Sequence, residues 1–176
     1  ASGDGTARLC DAAGNPLVVL EGHSDPVVSA VFSPDGGRIL TASTDRTARL
    51  WDTAGTPLAV LEGHSHLVRS AVFSSDSQHI LTASADRTAR LWDATGNPLT
   101  VLEGHRDEVL SAVFSSDGTR ILTASADGTA QLWRNYGSYE EMLAEAERKL
   151  RLVLTQEECV EYLAEFDVAF CERWEE

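Results

Sequence analysis

Gly22-His23-Ser24-Asp25-Pro26-Val27-Val28-Ser29-Ala30-Val31-Phe32-Ser33-Pro34-Asp35-Gly36-Gly37-Arg38-Ile39-Leu40-Thr41-Ala42-Ser43-Thr44-Asp45-Arg46-Thr47-Ala48-Arg49-Leu50-Trp51-Asp52 decides the fold, because it returns. Shifted by 41 positions, Gly22-His23 falls on Gly63-His64 and then on Gly104-His105, and Trp51 falls on Trp92 and Trp133. Ser29 to Ser33 recurs as Ser70 to Ser74 and Ser111 to Ser115, and Ile39 to Ser43 as Ile80 to Ser84 and Ile121 to Ser125. A fixed period of this length marks a repeat architecture. Asp4 to Asp11 matches Asp45 to Asp52, so the sequence opens in mid-repeat.

Within a unit the signal is strand. Val27 to Phe32, Arg38 to Ser43, Thr47 to Trp51 and Leu58 to Leu61 are short runs of Val, Ile, Leu, Thr and aromatics. Turn clusters separate them: Ser33 to Gly37, Thr44 to Arg46, and Asp52 to Pro57. Four strands per unit make a small antiparallel sheet with two apolar faces. Such a sheet cannot bury both alone, so identical neighbours must stack in series, which selects a β-propeller over a sandwich.

These residues resemble the WD40 repeat family: the Gly-His pair, the Phe32-Ser33-Pro34-Asp35-Gly36 turn, Asp45, and the Leu50-Trp51-Asp52 ending. The resemblance covers residues 1–134, as a partial unit 1–21 and units 22–62, 63–103 and 104–134. Three positions depart from it, with Cys10 in place of Trp, Ser77 in place of the turn glycine, and Arg134 in place of the final Asp. Cys10 is expected to act as a small packed hydrophobe.

The resemblance implies a structural hydrogen-bond network in each blade, joining His23, Thr41, Asp45 and Trp51; His64, Thr82, Asp86 and Trp92; and His105, Thr123, Asp127 and Trp133. Ser43, Ser84 and Ser125 are alternative hydroxyls, since positions two apart share a strand face. His, Asp and a hydroxyl also invite a nucleophilic-triad reading. A triad needs one exposed constellation with an oxyanion site; three copies at equal spacing argue for architecture, and the chain is read as a non-enzyme. His64 and His66 lack the Cys or carboxylate companions of a zinc site, so no metal or cofactor is expected. His79 stands where other units have Arg38 and Arg120, and is expected to face solvent.

Differences between otherwise copied units point to a recognition surface. Ser24-Asp25-Pro26-Val27-Val28 becomes Ser65-His66-Leu67-Val68-Arg69 and then Arg106-Asp107-Glu108-Val109-Leu110, with only the valine unchanged. By resemblance these loops, with Thr44, Ala85 and Ala126, lie on the propeller face that meets partners. The candidate partner-binding residues are His66, Leu67, Arg69, Arg106, Asp107, Glu108 and Leu110.

The net charge is −14. Residues 1–134 hold 16 acids and 10 bases, and residues 135–176 hold 12 acids and 4 bases. Neither part has a basic footprint for a phosphate backbone, so nucleic acid is not an expected partner. No apolar run reaches the length of a membrane span. Cys10, Cys159 and Cys171 make no even framework, which fits reduced thiols in the cytoplasm.

Residues 135–176 read as an acidic helical extension. Ser138-Tyr139-Glu140-Glu141 is a capping box before Met142, Leu143, Ala146, Leu150 and Leu154. Thr155-Gln156-Glu157-Glu158 is a second, before Cys159, Tyr162, Leu163 and Phe166. This tail resembles the C-terminal extensions of bacterial multidomain signalling proteins with WD40 repeats. The expected function is a non-catalytic protein-interaction and sensing scaffold, the propeller portion of a larger signalling or defence-type protein. A self-assembling ring and an enzyme with a site in the propeller channel are the alternatives. Too few blades to close a ring predict either further blades upstream or self-association.

Overall fold

The computed structural model describes residues 1–135, and the chain divides into one compact unit, Ala1–Asn135, and a second, Tyr136–Glu176. The helices expected over 138–166, together with Cys159 and Cys171, lie outside the described residues.

The strands are β1 (Ala7–Cys10), β2 (Pro16–Leu20), β3 (Val27–Phe32), β4 (Arg38–Ser43), β5 (Ala48–Asp52), β6 (Pro57–Leu61), β7 (Val68–Phe73), β8 (His79–Ser84), β9 (Ala89–Asp93), β10 (Pro98–Leu102), β11 (Val109–Phe114), β12 (Arg120–Ser125) and β13 (Ala130–Arg134). They form the antiparallel sheets β1-β2, β3-β4-β5-β6, β7-β8-β9-β10 and β11-β12-β13, each in chain order. The third and fourth strands of a unit begin one residue away from the sequence expectation. Pro57 opens β6 because a proline suits the first position of an edge strand.

Turn chemistry sets the spacing of the strands. Ser33 Oγ donates to Asp35 Oδ1 at 2.5 Å and accepts from the Arg38 amide at 2.9 Å, while Gly36 N donates to Ser33 O at 2.8 Å. Gly36 takes φ +72°, and Ser77 takes +61° at the equivalent place. A serine tolerates this left-handed conformation less readily than glycine. Its site compensates: Ser77 Oγ accepts from Asp35 N at 3.3 Å, and Ser77 O accepts from Arg38 Nη2 at 2.6 Å, both from the preceding sheet. At the other hairpin, Asp52 Oδ1 accepts from Ala54 N and Thr56 N, an Asx-type turn leading into the fourth strand.

The sheets bury apolar faces against one another. Leu40, Ala42, Leu50 and Leu61 of one sheet meet Val68, Ala71, Ile80 and Trp92 of the next. Leu81, Ala83, Leu91 and Leu102 meet Val109, Ala112 and Ile121 in the same way. Ala7 and Leu20 cover Val27, Ile39 and Trp51. Each fully buried leucine contributes about 1.5–3 kcal/mol relative to an exposed one, so stacking is the dominant source of stability.

Two expectations need correction. Cys10 is exposed rather than packed. β5 and β9 are covered on their inner edge by β4 and β8, whereas β1 pairs with β2 alone, and no strand shields the position that Trp51 and Trp92 occupy in theirs. His79 is half-buried at the start of β8 rather than solvent-facing, since its backbone is drawn in by Ser74 Oγ and by pairing with Asp93.

Candidate interaction face

The loop from the fourth strand of one sheet to the first strand of the next meets the turn between that sheet's second and third strands. Thr44 N donates to Pro26 O at 3.0 Å, and Ser43 Oγ lies 3.0 and 2.9 Å from Asp25 O and Pro26 O. Both segments therefore lie at the same end of the sheet, and the same joints recur through Ser84 and Ser125.

Beneath this surface runs a buried polar chain. His23 Nδ1 is 2.7 Å from Asp45 Oδ2, His23 Nε2 is 2.8 Å from Thr41 Oγ1, and Trp51 Nε1 donates to Thr41 Oγ1 at 2.9 Å. In the next sheet the separations are 2.8 Å for His64–Asp86, 2.8 Å for His64–Thr82 and 3.0 Å for Trp92–Thr82. In the last they are 3.0 Å for His105–Asp127, 2.8 Å for His105–Thr123 and 2.9 Å for Trp133–Thr123. Ser43, Ser84 and Ser125, the alternative hydroxyls, bond loop carbonyls instead.

Electrostatics agree with a neutral histidine. Burial lowers the pKa of His23 and His64, against the upward pull of Asp45 and Asp86. Burial by itself raises Asp86, but hydrogen bonds from Thr88 and His64 outweigh it and hold the carboxyl at about 2. Neutral His23 then donates from Nδ1 to Asp45 and accepts at Nε2 from Thr41, whose oxygen still takes the Trp51 indole. Every member has a partner, as buried polar groups require. Thr41, Thr82 and Thr123 are 0% exposed, so no substrate reaches these hydroxyls in this conformation. Among the described residues, no group of three or more His, Cys, Asp or Glu side chains is placed to hold a metal ion.

Sequence reasoning missed two features. The first is Thr47, Thr88 and Thr129, whose hydroxyls donate to Asp45, Asp86 and Asp127 at 2.7, 2.7 and 2.6 Å; their fixed spacing of two after each aspartate was the available signal. The second is Arg38, which reaches into the next blade, bonding Ala94 O at 2.7 Å and lying 5.4 Å from the Phe73 ring centroid.

Above the buried chain lie the variable positions. His66, Arg69, Arg106, Asp107 and Leu110 are exposed, and Leu67 and Glu108 are half-buried. Arg69 and Glu108 form an ion pair between neighbouring sheets. His66, Leu67, Arg106, Asp107 and Leu110 share the end of the sheets with that pair, and Asp107 Oδ1 accepts from the Glu108 amide at 2.8 Å.

Residues 14–52, 55–93 and 96–134 each match the family described as WD domain, G-beta repeat. The chain belongs to the WD40 repeat family. Each matched stretch takes the fourth strand of one sheet and the first three of the next, as β2 with β3 to β5 shows. The repeat of this WD40 chain thus straddles two sheets, so every unit is tied covalently to its neighbour. WD40 repeats generally serve as protein-interaction scaffolds and are typically non-catalytic. Comparison with curated proteins finds no match.

Proposed function

We propose that this WD40 chain is a protein-interaction and sensing scaffold, the propeller portion of a larger bacterial signalling or defence-type protein acting in the cytoplasm. The observation that carries the reading is the contrast between layers. The His–Asp–Thr–Trp chain repeats in three sheets with nearly equal distances, while the loops directly above it change identity from sheet to sheet. A conserved-geometry base under varied exposed side chains suits recognition, where rim charges set specificity and a few anchors supply affinity.

Capture of binding proteins from the source cell by the intact protein tests this reading. Substituting Arg69 and Glu108 together by alanine should reduce capture while lowering the melting temperature by no more than a few degrees, the worth of one exposed ion pair. Undiminished capture by that variant would place recognition elsewhere than on this face.

Self-association is a second reading with its own support. Val113, Leu122 and Leu132 are exposed on β11-β12-β13, and apolar faces of this kind favour association. A mass above that of one chain by light scattering at micromolar concentration is the expected result, and a monomer excludes it.

A further inference from the structure

The stretches Asp45 to Arg49, Asp86 to Arg90 and Asp127 to Gln131 occupy the same place in successive sheets and differ only at their second and fifth positions. The first two stretches read Asp-Arg-Thr-Ala-Arg; the third reads Asp-Gly-Thr-Ala-Gln. Arg46 and Arg87 both hold φ +73°, in the left-handed region, where the third sheet has Gly128 at +81°. An arginine there is a strained choice at a position that glycine fills freely. Both are exposed.

Arg49 and Arg90 flank the same loop junction. Their Nη1 atoms lie 2.7 Å from where a Cβ would stand on Gly22 and Gly63, and their Nε atoms are buried without a hydrogen-bond partner. Among the described residues, none of the four guanidinium groups has an ion pair with a carboxylate, whereas Arg8, Arg38 and Arg69 do. The adjacent carboxylates are already committed: Asp45 and Asp86 turn inward to His23 and His64.

We propose that Arg46, Arg49, Arg87 and Arg90 form a two-blade anion-recognition surface that binds an acidic peptide segment. The proposal rests on the protein-interaction reading above and names the chemistry of the partner. Unpaired guanidinium groups at the same place in successive blades offer planar, bidentate donors to carboxylates spaced along an extended chain. A short peptide fits better than a nucleic acid, because the four guanidinium groups make a short, discontinuous set rather than the continuous basic stripe that a phosphate backbone follows.

The third blade supplies the test, since it shows which residues the fold accepts at these positions. Arg46→Gly, Arg49→Gln, Arg87→Gly and Arg90→Gln together convert two blades to its version. Binding of a fluorescent hexaglutamate peptide to the full chain, read by anisotropy, should weaken by about tenfold or more in this variant. Its melting temperature should hold or rise as the left-handed arginines are relieved. Gly128→Arg, at a position with open space around it, should tighten binding. Equal hexaglutamate affinity of the quadruple variant and the unaltered chain overturns the proposal, as does equal or tighter binding of hexalysine or an oligothymidylate. Loss of hexaglutamate binding by the unaltered chain with cellular partner capture intact defeats the acidic-peptide assignment alone; failure of the unaltered chain to capture any protein defeats the scaffold reading.

Discussion

Arg69 Nη2 stands 2.5 Å from Glu108 Oε2, joining β7 to the loop before β11 across the boundary between two blades. Two residues that differ from their counterparts in every other unit are thus each other's partner. Variation at these positions supplies an inter-blade contact as well as recognition surface. Arg69 and Glu108 side chains remain 41% and 33% exposed, so solvent screens the pair. A double-mutant cycle on denaturation should give a coupling of about 0.2–1 kcal/mol that shrinks with added salt. A salt-independent coupling of several kcal/mol would contradict this.

Thr82 is the junction of its blade's buried chain, since both His64 Nε2 and Trp92 Nε1 end on its hydroxyl. Thr82→Val keeps the shape and strands both nitrogens. The loss in urea unfolding should be about 1–3 kcal/mol or more, the cost of unsatisfied buried polar groups. Ser70→Ala, which removes a buried hydroxyl without a partner, should cost less or stabilise.

Arg38 and Arg120 occupy the same repeat position with unequal duties. Arg38 bonds two carbonyls of the next blade and lies over Phe73, while the Arg120 side chain is exposed with no such contacts. Arg38→Ala should destabilise by about 1.5–3 kcal/mol, in the range of hydrogen bonds to charged groups. Arg120→Ala should stay within about 0.5 kcal/mol, as for ordinary surface substitutions. Equal effects in thermal melts would show that the inter-blade contact contributes nothing.

Gly63 illustrates a close approach. An added Cβ would stand 2.7 Å from Arg90 Nη1 on a backbone at φ +143°. Gly63→Ala should lower stability by more than about 1 kcal/mol, and the companion Arg90→Gln should recover part of that loss by freeing the space.

Acidification should destabilise the fold in two steps. His23 and His64 lie below the ordinary 6.5 through burial, so the unfolded chain takes up protons first. Stability is then full above pH 6.5 and falls as pH drops toward the folded histidine values. Asp86 adds a second loss between 3.8 and about 2, where hydrogen bonds from Thr88 and His64 overcome burial to keep it ionised in the fold. Melting temperatures measured from pH 7 to 3 at fixed ionic strength should decline throughout; a rise between pH 7 and 5 contradicts the buried neutral histidines.

Much of this was legible in the residues. Turn clusters such as Ser33 to Gly37 delimit the strands because their side chains bond their own backbone, a local interaction. The grouping of His23, Thr41, Asp45 and Trp51 could be named in advance from the family resemblance. Which hydroxyl joins them could not, since Thr41 and Ser43 share a face and only the packed loop carbonyls of Asp25 and Pro26 draw Ser43 away. Cys10 was misread for the same reason, because burial depends on which strand lies alongside.

The sequence by itself determined the period, the strands, the turns and the repeat family, all of which follow from local conformational preference and alternation. Only the tertiary structure decided what each copy experiences. Ile-Leu-Thr-Ala-Ser occurs three times unchanged, yet Leu40 and Leu81 are 0% exposed and Leu122 is 45% exposed. Leu40 and Leu81 lie between two sheets, and Leu122 faces outward from the last described one. Burial is a property of the neighbour a residue acquires, so identical sequences acquire different energies when the stack covers one copy and leaves another open.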